Sequence, residues 1–180
     1  MLNRMRTLAL AAAMSIVALP LVASQSQADA ANTARVAENV RKEIVTLPFY
    51  SVFDFVTISV DGDRVTLDGN VYRRSMVRSV ERVAANVEGV NEVVNNVEPA
   101  RVSTFDDRIR LQTLRAIYSH QALNRYGIRS VPPIHILVNN GAVTLEGIVN
   151  RKMEKDIAGI LANGIFGVFS VTNNLRIDNL

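Results

Sequence analysis

Two stretches of this chain carry one pattern, 78 residues apart. Arg64-Val-Thr-Leu-Asp-Gly-Asn-Val71 is matched by Ala142-Val-Thr-Leu-Glu-Gly-Ile-Val149. The same offset, without a gap, pairs Arg73 with Arg151, Ala84 with Ala162 and Gly89-Val90 with Gly167-Val168. It also pairs Val93 with Val171 and Asn95-Asn96 with Asn173-Asn174, and reaches back to Ile58 and Val60 opposite Ile136 and Val138. A repeat of this length is the first constraint on the fold, because each copy must make the same unit. The leading parts match less well, and the second copy is a few residues longer there.

Each copy reads α-β-β-α-β. A helix over about Thr33–Val45 has Val36, Val40 and Ile44 at i, i+4, i+8, and its counterpart runs over about Phe105–Tyr118. Ser103 or Thr104 can cap the latter, and Asp106 and Asp107 suit its positive end. Alternating strands follow at Val56–Val60 and Val65–Val71 around Asp61-Gly62-Asp63, and at Ile134–Val138 and Val143–Val149 around Asn139-Asn140-Gly141. Second helices are expected over Arg73–Val87 and Arg151–Asn163, and last strands over Val90–Val97 and Val168–Ile177. The apolar stripes Met76, Val80, Val83, Ala84, Val87 and Met153, Ile157, Ile160, Leu161 need a sheet to cover. The expected fold is α+β: two tandem αββαβ sandwiches, each a three-stranded mixed sheet with two helices on one face. Gly69 and Gly147, inside strands, mark a bulge or the close approach of another backbone.

The first thirty residues stand outside this duplication. Arg4 and Arg6 precede an apolar run from Leu8 to Leu19, Pro20 ends it, and Ala28-Asp29-Ala30 has the form of a cleavage site. That order of parts is an export signal, and the run is too short to span a bilayer, which takes about 20 residues. The expected organisation is a signal peptide at 1–30, a first domain at 34–99 and a second at 103–178. No further apolar run approaches spanning length, so the mature chain is expected without a transmembrane segment and, in a bacterium, in the periplasm.

The strand–glycine–strand pattern, the following helix and Gly-Val-x-x-Val-x-Asn-Asn together resemble the BON domain, named for bacterial osmotically induced and nodulation proteins. Both copies carry it, over roughly residues 34–178. The resemblance implies the αββαβ sandwich, an envelope setting and a non-enzymatic role in attachment to phospholipid membranes or other envelope components. Tandem members are associated with osmotic stress protection and envelope integrity. A lipoprotein member carries a cysteine after its signal, and this chain has no cysteine at all, so any membrane contact must be peripheral.

Charge separates the two copies. Residues 34–101 hold nine basic and ten acidic groups, and residues 102–180 hold nine and six. The second copy is therefore the better partner for an anionic phospholipid surface. The resemblance, which implicates the second domain in anionic lipid binding, makes Arg151, Lys152 and Lys155 the first candidates, at the start of its second helix. Arg74, Arg78 and Arg82, at four-residue spacing, form a rival stripe in the first copy. Phe49, Tyr50 and Phe53 before the first hairpin could bind envelope proteins, as could Arg125 and Arg129 at the matching place in the second copy. That gives the alternative of a periplasmic chaperone or protein-interaction module.

Catalysis lacks parts. His120 and His135 are the only imidazoles, and neither has ligand spacing with another histidine or a carboxylate pair. No G-x-S-x-G is present. Asp68 and Glu146 recur in the motif but read as strand-surface residues. No cofactor, metal or nucleic-acid partner is expected.

Overall fold

The computed structural model describes residues 21–178, with side chains from Asp29 onward. The first unit comprises α1 (Leu21–Val45), β1 (Phe55–Asp61), β2 (Arg64–Val71), α2 (Arg74–Ala85) and β3 (Glu92–Pro99). The second comprises α3 (Thr104–Ser119), a 3-10 turn at Asn124–Ile128, β4 (Ile134–Asn139), β5 (Ala142–Val149), α4 (Lys152–Asn163), β6 (Ser170–Asn173) and β7 (Arg176–Ile177). In both units the hairpin is antiparallel, and the helix after it carries the chain across to a third strand parallel to the second. Register repeats with the sequence: Val56 faces Gly69 as Ile134 faces Gly147. The expected pair of αββαβ sandwiches is what forms.

Each core lies between one sheet face and its two helices. In the first, Val36, Val40 and Ile44 of α1 meet Met76, Val80 and Ala84 of α2 over Val65, Leu67 and Val71. In the second, Ile109 and Ile117 of α3 meet Ala158 and Ala162 of α4 over Leu145 and Val149. The repeated asparagines hold the last strand in place. Asn95 Nδ2 donates to the Val77 carbonyl at 2.9 Å, and Asn173 Nδ2 to the Lys155 carbonyl at 2.7 Å. Asn96 donates to Asp68 at 2.9 Å, and Asn174 to Glu146 at 2.6 Å. The recurring carboxylates thus serve strand pairing.

Three expectations change. The last strand, expected as one piece over Val168–Ile177, is broken into β6 and β7, both along β5. The first helix begins at Leu21, not near Thr33, but Asp29–Asn32 are exposed and its core contribution starts at Val36. The expected export signal lies over residues 1–20, outside the described residues, and over the start of this helix. Lastly, Asp106 does not simply sit at its helix end. It is buried and accepts the backbone N–H groups of Asn140 and Gly141 at 3.1 and 2.8 Å, tying α3 to the β4–β5 hairpin. Ser103 is the cap, its Oγ accepting from Asp106 N at 3.1 Å. Ser103→Ala should cost about 1 kcal/mol of second-unit stability in urea denaturation; an unchanged midpoint would show that the cap is idle.

The two units interlock. Ser51–Phe53, from the segment before β1, lies on the outer edge of β4, where Ile136 N donates to the Val52 carbonyl at 2.8 Å. Val52 is buried in the second unit's core, with Phe53 packed against it. Phe53 also meets Tyr72, with ring centroids 5.9 Å apart. His135 of β4 sits between Phe55 and Tyr50, at 5.3 and 6.2 Å.

Candidate functional site

The aromatic segment of the first copy is mostly used up by this interlock. Tyr50 and Phe53 are half-buried at the domain junction, so they are not free to bind a client protein. Only Phe49 of the three is left outside, 69 % exposed, with the Arg73 guanidinium over its ring at 4.6 Å.

Arg125 is also engaged. It pairs with Glu154, a buried carboxylate that further accepts from Tyr126 Oη at 2.8 Å, Asn150 N at 3.1 Å and Arg151 N at 3.0 Å. The network satisfies the backbone leaving β5. The first copy does the same work with Asp54, which accepts Tyr72 N at 2.7 Å. Arg129 is exposed in the loop before β4.

Of the basic candidates at the start of α4, Arg151 is exposed, Lys152 is paired with Asp156 at 2.7 Å, and Lys155 is half-buried. Arg74, Arg78 and Arg82 are exposed along α2, and none of them is in an ion pair among the described residues.

The apolar surface lies elsewhere. Phe166 and Phe169, in the turn between α4 and β6, are 90 % and 88 % exposed. Phe105, in the first turn of α3, is 48 % exposed and reaches the same place. A Cβ built on Gly167 would lie 3.1 Å from the Phe105 ring, and one on Gly141 would lie 3.4 Å from that ring and 3.7 Å from Phe169 Cβ. The Phe169 N–H donates to the Gly141 carbonyl at 2.8 Å, fixing the turn on the hairpin. The three rings therefore gather at one end of the second unit. Fully exposed Val102 precedes α3, and exposed Ile160 lies on α4 one turn before Gly164. Arg101 and Arg108, both exposed, flank Phe105 in the chain.

This tip is not demanded by the fold. At the positions 78 residues earlier the first copy has Arg82, Glu88 and Asn91 where the second has Ile160, Phe166 and Phe169. A polar set serves the same turn there, with Asn91 Nδ2 donating to Asp63 at 2.8 Å. Large exposed apolar groups gathered in one place mark an interaction surface. The duplication held the signal for them, since only a difference between aligned copies separates a functional phenylalanine from a core one. The basic start of α4 is a separate feature: twelve residues of helix put it about 18 Å from the aromatic end.

Among the described residues no three histidine, aspartate or glutamate side chains gather as a cation site, and no helix is long and apolar enough to cross a membrane.

No curated protein matches the chain. Two solved structures of CdsD, a structural protein of the type III secretion system of Chlamydia trachomatis, align with it at 12% identity. One, the C-terminal domain, covers 78% of this chain and 96% of its own at a TM-score of 0.27. The other covers 81% and 94% at 0.29. The family model of the BON domain matches residues 28–100 and again 119–179. Matched twice over most of its length, with the two units it describes both formed, the chain belongs to the BON domain family.

Proposed function

We propose that this protein is an exported, non-enzymatic envelope component that attaches peripherally to anionic phospholipid through the aromatic end of its second domain. The observation that carries this is the convergence of Phe105, Phe166 and Phe169 at one exposed end of the more basic unit. Membership of the BON family supports an envelope role. Rings that project from a turn, with Phe166 and Phe169 almost wholly exposed, suit insertion among headgroups better than capture of a small molecule. Arg101 and Arg108, exposed on either side of Phe105 in the chain, would meet phosphates as the rings enter. Arg151, Lys152 and Lys155 on α4, and Arg74, Arg78 and Arg82 on α2, supply longer-range attraction. Each basic group at an anionic surface contributes about 1 kcal/mol and is weakened by salt. The cellular role in this reading is to preserve envelope integrity under osmotic stress.

Co-sedimentation with vesicles tests it. Phosphatidylglycerol-containing vesicles should bind the chain, and phosphatidylcholine vesicles should bind it far less. Burying a phenylalanine contributes about 1.5 kcal/mol or more, so Phe166→Ser with Phe169→Ser should weaken binding roughly a hundredfold. Arg101→Glu with Arg108→Glu should weaken it about thirtyfold or more and flatten its salt dependence. Binding that survives loss of both phenylalanines would remove the aromatic end from the reading.

The alternative of a chaperone or protein-interaction module has less to rest on. It would rely on Phe49 and Arg129, which lie on different units.

A further inference from the structure

Three successive outward positions of the β4 edge each hold a partner from elsewhere in the fold. The Ile134 carbonyl accepts from Tyr118 Oη at 2.7 Å, Ile136 N donates to the Val52 carbonyl at 2.8 Å, and the Val138 carbonyl accepts from Arg110. Occupied edges do not recruit other strands. The same three positions of the first unit are Val56, Ile58 and Val60, which face β2 in the same register. Tyr50 lies at the backbone of Val56, as Tyr118 does at Ile134. Beyond that the likeness stops. Among the described residues, Ile58 and Val60 have no hydrogen-bond partner on their outer side. Nor can α1 supply one as α3 does. When the buried Val36, Val40 and Ile44 are matched to Ile109, Thr113 and Ile117, the place of Arg110 falls to Ala37, which has no donor to offer.

The donor side shows the converse. Val52 of the first unit, in a turn closed by Asp54 N on the Ser51 carbonyl, sets its own carbonyl on the edge of the second, and the residues 78 after Ser51–Phe53 are Arg129–Val131. That segment touches no strand edge, and Ile128 beside it is 86 % exposed. Each chain thus holds one edge and one donor segment already joined, and one of each unused. Charge favours joining the unused pair between chains. The donor unit carries nine basic and six acidic groups and the acceptor unit nine and ten, and Arg129 of the donor loop and Asp61 at the end of the open edge are both exposed.

We propose that copies of this chain associate head to tail, the Arg129–Val131 segment of one adding to the Ile58–Val60 edge of the next. Main-chain hydrogen bonds supply the attachment and Ile128 the apolar anchor, as in strand addition generally. Such a contact joins unlike surfaces, so it extends into chains or closes into rings beyond a dimer.

Sedimentation velocity of the chain, as it accumulates in a bacterial host, should show mass rising with concentration past two copies over about 10 µM to 1 mM, the range of a small contact. Val60→Pro removes an outward-facing edge donor, and Ile128→Asp with Arg129→Glu disables the donor loop. Each should leave the chain monomeric. Mixed together they should form a 1:1 dimer and stop there, since one good edge and one good segment remain. A monomeric parent chain overturns the proposal, as does association untouched by the loop changes or a mixture that stays monomeric. Circular dichroism checks folding. If Val60→Pro does not fold, the exposed loop variant decides alone: monomer supports the proposal, unchanged association ends it.

Discussion

Gly147→Ala should unfold the second domain, and Gly69→Ala the first. A Cβ on Gly147 would lie 1.9 Å from the Pro133 carbonyl oxygen, and one on Gly69 2.1 Å from that of Phe55. Both contacts are with backbone at the start of, or just before, the neighbouring strand, so no side-chain rotation relieves them. The φ angles, +117° and +139°, lie in territory that only glycine occupies without strain. Backbone strain alone costs about 1–3 kcal/mol, and separating the strands adds the loss of ladder bonds and core contacts. A total of roughly 4 kcal/mol or more consumes most of a small domain's stability. Gly62→Ala is the control: its φ is +62°, and nothing lies within 4 Å of a Cβ there, so about 1 kcal/mol is expected. Hydrogen exchange read by mass spectrometry assigns the loss to one domain or the other. Native-like protection of β4 and β5 in Gly147→Ala would show that the strands can separate at little cost.

Acid should loosen the domain junction well before it protonates most carboxylates. Burial pushes the His135 imidazole down to about 4, and Arg41 adds repulsion, while the backbone of Asp54 and Ser51 partly offsets both. Its Nδ1 is buried and makes no hydrogen bond in the docked state. The folded pKa is the lowered one, so the stabilisation is complete above the unfolded value of 6.5. It is lost as pH falls from 6.5 towards 4, because the open state binds a proton that the docked state refuses. The full span is worth about 3 kcal/mol, of which about 2 kcal/mol goes between pH 6.5 and 5. His135→Phe, which keeps a ring between Phe55 and Tyr50, should abolish that slope in urea denaturation. An equal slope in the variant would place the titrating group elsewhere.

The duplication made the fold readable at length. Helical stripes such as Val36, Val40, Ile44 and strand alternation such as Val65, Leu67 define buried faces by period alone, and two copies in register remove chance matches. The asparagine pairs were visible as recurring residues, but their bonds to the Val77 and Lys155 carbonyls needed helix and strand brought together. The break between β6 and β7 was not legible, because Asn174 and Leu175 continue an alternating pattern, and Asn174 N still donates to the Leu145 carbonyl before the ladder lapses and resumes at Arg176.

Candidate sites fared unevenly, for a physical reason. Charged positions without bonding partners, such as Arg78 and Arg151, are exposed, whereas Asp54, Asp106, Arg110 and Glu154 are buried only because hydrogen bonds hold them. Aromatics give no such guarantee, since a phenylalanine is at home in a core or on a binding surface. Phe53 turned inward to the second unit, Tyr50 packed on its own core beside His135, and Phe166 and Phe169 turned out.

By itself the sequence determined what local pattern encodes: two αββαβ units, their registers, the glycines at the strand crossings and the uneven charge between copies. Tertiary structure alone decided which surfaces remain. Whether Val52 fills its own unit or its neighbour, whether Arg110 reaches the edge of β4, and whether three phenylalanines meet depend on how distant segments pack. Such contacts leave no periodic trace in the chain, because they join residues whose spacing no helix or strand repeat sets.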